Sequence, residues 1–207
     1  EMGTIVCNWN PDNPFQTRSA HQRNRQYLQT LGAYDEVFIW SDKLFEPLRD
    51  AGACSVHELP FGFDPELHRP VEPDPNIAAD VVFAGHWSEK RQTMLTPLLD
   101  LDAELAVYGN GWKKHCFDRT LRAVHRGPAI FGEDYSALYR STTICLNIVA
   151  DHNLEAYNMR SFEIPATGGF MLTSRTDKQR SLFGEGEGIA CFDDPTELRE
   201  QVAYYLN

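Results

Sequence analysis

Short apolar runs alternating with helix-length polar stretches are the feature that most restricts what this chain can fold into. The runs GTIVCNW (3–9), EVFIW (36–40) and SVHELP (55–60) are separated by helical readings over 22–31 and from a Ser41 cap to Asp50. That rhythm argues for parallel strands with helices between them. It resumes with DVVFAG (80–85), ELAVYG (104–109), AIFG (129–132), TICLNI (143–148), FMLT (170–173) and GIACF (188–192). Ser88 is expected to cap a helix running to about Leu99, and 134–140 reads as helical. Asp194-Pro195-Thr196-Glu197 has the look of a capping box with proline at the first helical position. The stretch RPVEPDPN (69–76) holds three prolines and two acids and is the expected linker.

Two α/β parts follow from this reading. Residues 73–207 read as one complete Rossmann-like domain, and residues 1–72 as the back half of a similar domain whose beginning is absent. The chain of 207 residues, 42% hydrophobic, is long enough to bury a core. A net charge of −11 with no basic run argues against nucleic-acid or anionic-membrane binding as the main task. No stretch approaches the length of a membrane-spanning helix, and the first residues do not read as a signal peptide. Cys7, Cys54, Cys116, Cys145 and Cys191 are scattered without a C-x-x-C, so they are expected to be reduced, buried thiols of a cytoplasmic protein. No H-x3-H or H-E-x-x-H pattern occurs, and no metal site is expected.

The chemistry concentrates in NLEAYNMRSFEIPATGGFMLT (153–173), where Glu155 and Glu163 are separated by seven residues. A polar loop leads into a short helix containing Pro165, and Gly168-Gly169 ends it before a buried strand. An ionised glutamate near the start of such a helix can accept two hydroxyls of a sugar diol. Beside Phe162, Ile164 and Ala166 the Glu163 carboxylate must have a partner, and Arg160, one turn earlier, is the alternative to a ligand. Gly85-His86-Trp87-Ser88-Glu89-Lys90-Arg91 lies where a strand ends and a helix begins. Its backbone N–H groups with Lys90 and Arg91 suit a diphosphate; otherwise it is a glycine turn with solvated cations. Gly109-Asn110-Gly111-Trp112 is either a base-lining turn or a tight connection, and it is not a dinucleotide G-x-G-x-x-G because Lys114 stands at the last position. Asp12 and Asn13 follow the first strand, as an acceptor-side base or as a plain turn.

The Glu155-x7-Glu163 spacing resembles the E-x7-E signature of GT-B glycosyltransferases of the group 1 type. LPFGFDPELHRP, DVVFAGHW, YGNGW, RSFEIPATGGFMLT and FDDPTEL occur in the order of the CgeB/spore-maturation branch of that family. The resemblance implies a GT-B fold of two Rossmann-like domains, residues 1–72 on the acceptor side and 73–207 on the nucleotide-sugar side. It implies transfer of a sugar, of the hexosyl type and without a bound metal, from a UDP-sugar or GDP-sugar to a glycan, protein or small-molecule acceptor. Glu163 would then hold ribose hydroxyls. Gly85, His86, Lys90 and Arg91 would face the diphosphate, and Gly109, Asn110, Gly111, Trp112 and Tyr135 would lie near the base. Asn158 and Arg160 would shape the sugar or diphosphate pocket. Asp12, His86 and Glu155 are the candidate catalytic residues. A binding module without catalysis, or a Rossmann oxidoreductase, would be the alternatives.

Overall fold

A computed structural model describes residues 3–16, 21–154 and 156–207. Contacts divide the chain into two compact units, one running to Phe61 and including Asp151–Ala156, the other made of Gly62–Ala150 and Tyr157–Asn207. The boundary therefore precedes the proline-rich 69–76 stretch, which is not a free linker. Leu67 accepts a hydrogen bond from Ser136 Oγ at 2.5 Å, and the Asp74 N–H donates to Ser141 Oγ at 2.7 Å, so this segment is tied to the second unit.

In the first unit the order is β1 (Cys7–Asn10), α1 (His21–Gln29), β2 (Glu36–Ile39), α2 (Phe45–Asp50) and β3 (Val56–Glu58). The strands pair in parallel in the order β1-β2-β3. The sequence suggested a buried strand over 3–9; β1 is shorter and lies at the sheet's edge, with Cys7 and Trp9 exposed. Ser41 does not cap through its side chain, and a single tight turn (Asp42–Leu44) precedes α2.

The second unit contains β4 (Ala79–Ala84), α3 (Glu89–Leu95), β5 (Leu105–Tyr108), α4 (Trp112–His115), α5 (Arg119–Ala123), β6 (His125–Gly127), α6 (Glu133–Arg140) and β7 (Thr142–Asn147). It continues with α7 (Arg160–Ala166), β8 (Met171–Ser174), α8 (Asp177–Phe183), β9 (Ala190–Phe192) and α9 (Pro195–Leu206). All its strand pairs are parallel, in the order β6-β5-β4-β7-β8-β9. Renumbered within the unit this is 3-2-1-4-5-6, the doubly wound order whose direction reverses between the first and fourth strands. Here that switch point is the gap between the ends of β4 and β7.

Both faces of the sheet are covered because β4 and β7 are apolar at successive positions. Val81, Phe83, Ile144 and Leu146 pack on one side with Leu95 of α3 and Leu198 and Val202 of α9. Val82, Ala84 and Cys145 pack on the other with Leu138 and Tyr139 of α6 and Ile164 of α7. This is the pattern of a parallel strand buried on both sides. Caps behave as the residue types dictate: Ser88 Oγ accepts from Arg91 N–H, and Asp194 from the N–H groups of Thr196 and Glu197. The strand expected over 129–132 is absent. The sixth strand is instead His125-Arg126-Gly127, a polar edge strand whose sequence carries no apolar run.

Gly109 marks the tightest point. Its φ is +135°, and a Cβ there would stand 2.0 Å from the Gly85 carbonyl oxygen. Gly109→Ala should lower stability by at least about 2 kcal/mol, from the strained φ and the backbone clash together. Gly62→Ala, with nothing within 4 Å of the added methyl, should stay within about 0.5 kcal/mol. Urea unfolding midpoints of the two variants check this.

Candidate functional site

Glu163 sits on α7 and is buried. Three contacts orient that helix from its start. Asn158 Oδ1 accepts from Ser161 N–H at 3.2 Å, Ser161 Oγ accepts from Asn158 N–H at 3.3 Å, and Asn158 Nδ2 donates to Asn147 Oδ1 at 2.9 Å. The reciprocal pair is a capping arrangement one turn wide. It also spends the amide of Asn158 inside the protein, so this residue holds the helix in place rather than reaching outward. At the other end Gly168, with φ +77°, terminates α7 as its glycine predicts.

The carboxylate is engaged by a different element. Tyr135 of α6 donates its hydroxyl to Glu163 Oε2 at 2.7 Å, and His68 Nε2 lies 3.9 Å from Oε1. The partner is thus not the Arg160 guanidinium that the helical spacing offered. Burial, then the neighbouring Tyr139 and Glu163, drive the Tyr135 hydroxyl far above its usual range, so it stays protonated as a fixed donor. Tyr139 behind it is pushed up to about 12 by burial.

Two guanidinium groups complete the cluster. Arg91 donates to the carbonyls of His86 (2.8 Å) and Ile148 (3.4 Å). Those carbonyls follow β4 and β7, so this side chain straddles the switch point at the carboxyl ends of the strands. Its guanidinium also lies 5.4 Å over the Phe83 ring. Burial first, then repulsion from Arg160, brings Arg91 down to about 10. Arg160 moves the other way: burial opposes its charge, but Tyr139, Tyr135 and Glu163 outweigh that. The Nε atoms of both arginines are buried with no hydrogen-bond partner. Neighbouring cations with unsatisfied donors, beside a buried carboxylate, suit a ligand carrying an anion next to hydroxyls.

Other expected residues have more local tasks. The N–H groups of Gly85 and Trp87 are committed to Tyr108 and Asn110 carbonyls at 2.8 and 2.9 Å, and that of Arg91 to Ser88, so less of this loop's backbone is available to an anion than its sequence suggested. Trp112 is fully buried and donates from Nε1 to the Gly85 carbonyl at 2.8 Å. It therefore braces the loop and cannot wall a base pocket. Gly109 gives close approach to Gly85, and Gly111 has φ +89°. His86 and Asn110 are exposed, while Lys90 is half-buried. Asp12 is exposed in a bend closed by its N–H to Asn10 Oδ1 at 3.0 Å, in the first unit. Glu155 lies outside the described residues. His68 was not singled out in the sequence, although Asp64-Pro65 followed by His68 is a turn signal that could have marked it. Among the described residues no group of three or more His, Cys, Asp or Glu is placed to hold a metal ion. Cys116, Cys145 and Cys191 are free and buried as expected, but Cys7 and Cys54 are free and exposed.

Residues 90–207, more than half of the chain, match the glycosyl transferase-like family. The chain belongs to that family. Among solved structures this glycosyl transferase-like chain is similar to HepE from Anabaena in complex with UDP-glucose, with TM-score 0.68, 12% identity, and coverage of 98% of this chain and 63% of that one. It is also similar to sucrose-phosphate synthase from Thermosynechococcus elongatus, with TM-score 0.60, 14% identity, and coverage of 97% and 58%. TarM gives TM-score 0.58 at 9% identity, covering 99% of this chain and 43% of that one. These likenesses establish the fold, which is GT-B-like with Rossmann-like parallel sheets. The chain spans about three fifths of the length of the first two structures. A comparison with curated protein sequences gives no significant match.

Arg91 supplies a pH test. With its proton held at about 10, the guanidinium stays charged through neutral pH and loses its charge as the pH rises through 10. Sulfate, which does not titrate in this range, should bind with constant affinity from pH 7 to 9 and weaken above that. The part of the decline due to Arg91 should vanish in Arg91→Ala, as read by calorimetry.

Proposed function

We propose that this protein is a glycosyltransferase that takes a sugar from a nucleotide-sugar donor, bound at the carboxyl ends of the second unit's strands. The observation that carries this is the pairing on one short helix of Arg160, with its unsatisfied Nε, and Glu163, with its buried carboxylate, beside Arg91 at the switch point. A nucleoside diphosphate presents complementary groups in that order, a diphosphate next to a ribose diol. UDP is the favoured nucleotide, because HepE, with the same fold, was solved with UDP-glucose. GDP is the competing choice.

In the transfer, the bond between the sugar's anomeric carbon and the diphosphate oxygen breaks, and the electron pair leaves with the nucleotide. Arg91 and Arg160, with Lys90 nearby in sequence, would offset that growing charge. With two guanidiniums in place, a metal-independent, hexosyl-type transfer is the reading we favour. The acceptor hydroxyl forms the new bond and gives up its proton to a base, for which Asp12, His86 and Glu155 are the candidates. Tyr135 then serves the nucleotide indirectly, by holding Glu163. The first unit would take the acceptor, a glycan, a protein or a small molecule.

The sequence words RSFEIPATGGFMLT and LPFGFDPELHRP support the CgeB/spore-maturation branch within the family. Five free cysteines support a cytoplasmic setting, and no described helix is long and apolar enough to cross a membrane.

Calorimetric titration with UDP, GDP and NAD tests the reading. UDP or GDP should bind and NAD should not. Glu163→Ala should weaken the nucleotide about tenfold or more, the scale of a lost charge-assisted hydrogen bond. Binding of NAD alone would instead favour an oxidoreductase.

A further inference from the structure

A turn in the segment that opens the second unit aims a histidine at the same carboxylate. Asp64 Oδ1 accepts from the N–H groups of Glu66 and Leu67, at 2.8 and 3.3 Å, and Pro65 between them has no N–H to satisfy. The His68 N–H donates to the Asp64 carbonyl at 2.7 Å, which closes the turn. Closure brings the imidazole back over Asp64, whose own N–H donates to His68 Nδ1 at 3.1 Å. A ring nitrogen that accepts a hydrogen bond carries no proton, so the neutral ring has its hydrogen on Nε2. The turn is anchored on α6 by Ser136 Oγ donating to the Leu67 carbonyl, and the ring meets Tyr135 edge-on, centroids 5.5 Å apart.

The consequence lies at Glu163. Tyr135 occupies Oε2, while Oε1 faces His68 Nε2–H across 3.9 Å, too far for a direct hydrogen bond. The two side chains keep 15% and 10% of their surface exposed. One partner only donates and the other only accepts. A hydroxyl oxygen off the line between them reaches both, accepting from Nε2–H and donating to Oε1. We propose that His68 is a ligand-contacting residue, and that one ribose hydroxyl of the nucleotide bridges His68 and Glu163. This rests on the nucleotide-sugar reading above. It adds a second reader of the ribose, supplied by the connection before the sheet instead of by the helix.

The experiment is calorimetric titration of UDP and GDP, and of the 2′-deoxy and 3′-deoxy analogues of whichever binds, against wild type, His68→Phe, His68→Gln and Glu163→Gln. His68→Phe keeps the ring against Tyr135 and removes the donor, and His68→Gln retains an N–H. His68→Phe should bind the ribonucleotide about tenfold more weakly, with much of the loss restored in His68→Gln. One deoxy analogue should bind wild type about tenfold more weakly and be indifferent to His68→Phe. Equal weakening of ribonucleotide and both analogues by His68→Phe would mean a purely structural role and overturn the proposal. So would unchanged binding in His68→Phe while Glu163→Gln weakens it. Should the His68 variants fail to fold, wild type decides: equal affinity for the ribonucleotide and both analogues overturns the bridge. Absence of UDP and GDP binding by folded wild type removes the donor-site reading itself, and this proposal with it.

Discussion

A carboxylate buried in a protein must be hydrogen-bonded, and the second unit is arranged around that demand at Glu163. Its helix is short, interrupted in sequence by Pro165 and stopped by Gly168, so it cannot place the side chain by its own rigidity. Placement comes from the buried contacts among Asn147, Asn158 and Ser161 at its start and from Ile164 packed under the sheet. The hydrogen bond itself comes from α6, through a tyrosine that burial keeps protonated. Losing either element would leave the other with an unsatisfied polar group, a cost of about 1–3 kcal/mol. The carboxylate therefore links the geometry of two helices.

The cations beside it depend on a second constraint, the contact between the chain after β4 and the chain after β5. Gly109 lets the two backbones touch, Trp112 donates across to the Gly85 carbonyl, and His125 donates from Nε2 to the Gly109 carbonyl at 2.9 Å. Drawn together in this way, the loop returns directly into α3, where Arg91 reaches back to carbonyls beyond β4 and β7. Keeping that guanidinium charged against burial and a neighbouring arginine is unfavourable, and its lowered proton affinity reports the cost. A bound anion would relieve it. That sets Arg91 apart from an arginine held in a structural ion pair. Arg175 shows the contrast: it bonds Glu185, Asp193 and Glu197 and is held strongly protonated by them.

Much of this was legible in the residues. Uninterrupted apolar runs such as DVVFA and TICLN give strands buried on both faces, and Ser88, Asp194 and Gly168 punctuate helices in the way their side chains dictate. The need for a partner at Glu163 followed from its apolar neighbours. The partner's identity did not, because Tyr135 and His68 reach it through tertiary packing and Arg160 was the candidate visible within the helix. β6 escaped notice because an edge strand of His, Arg and Gly needs no apolar pattern, and the run AIFG nearby offered a false one. Trp112 looked like a ligand wall because a sequence does not reveal which side of a turn an indole enters. The proline-rich stretch resembled a linker since it is held by the ion pair of Arg69 with Glu133 and by the Asp74 N–H on the Ser141 hydroxyl, contacts that leave little trace in composition.

The central claim is that a nucleotide-sugar occupies the space shared by Glu163, Arg160 and Arg91. Amide hydrogen exchange with and without UDP-glucose tests it without altering a residue. The account predicts added protection at 85–91, 133–136 and 158–164, with α9 and the first unit's sheet unchanged by comparison. Protection confined to other segments, under conditions where the ligand binds, would contradict it.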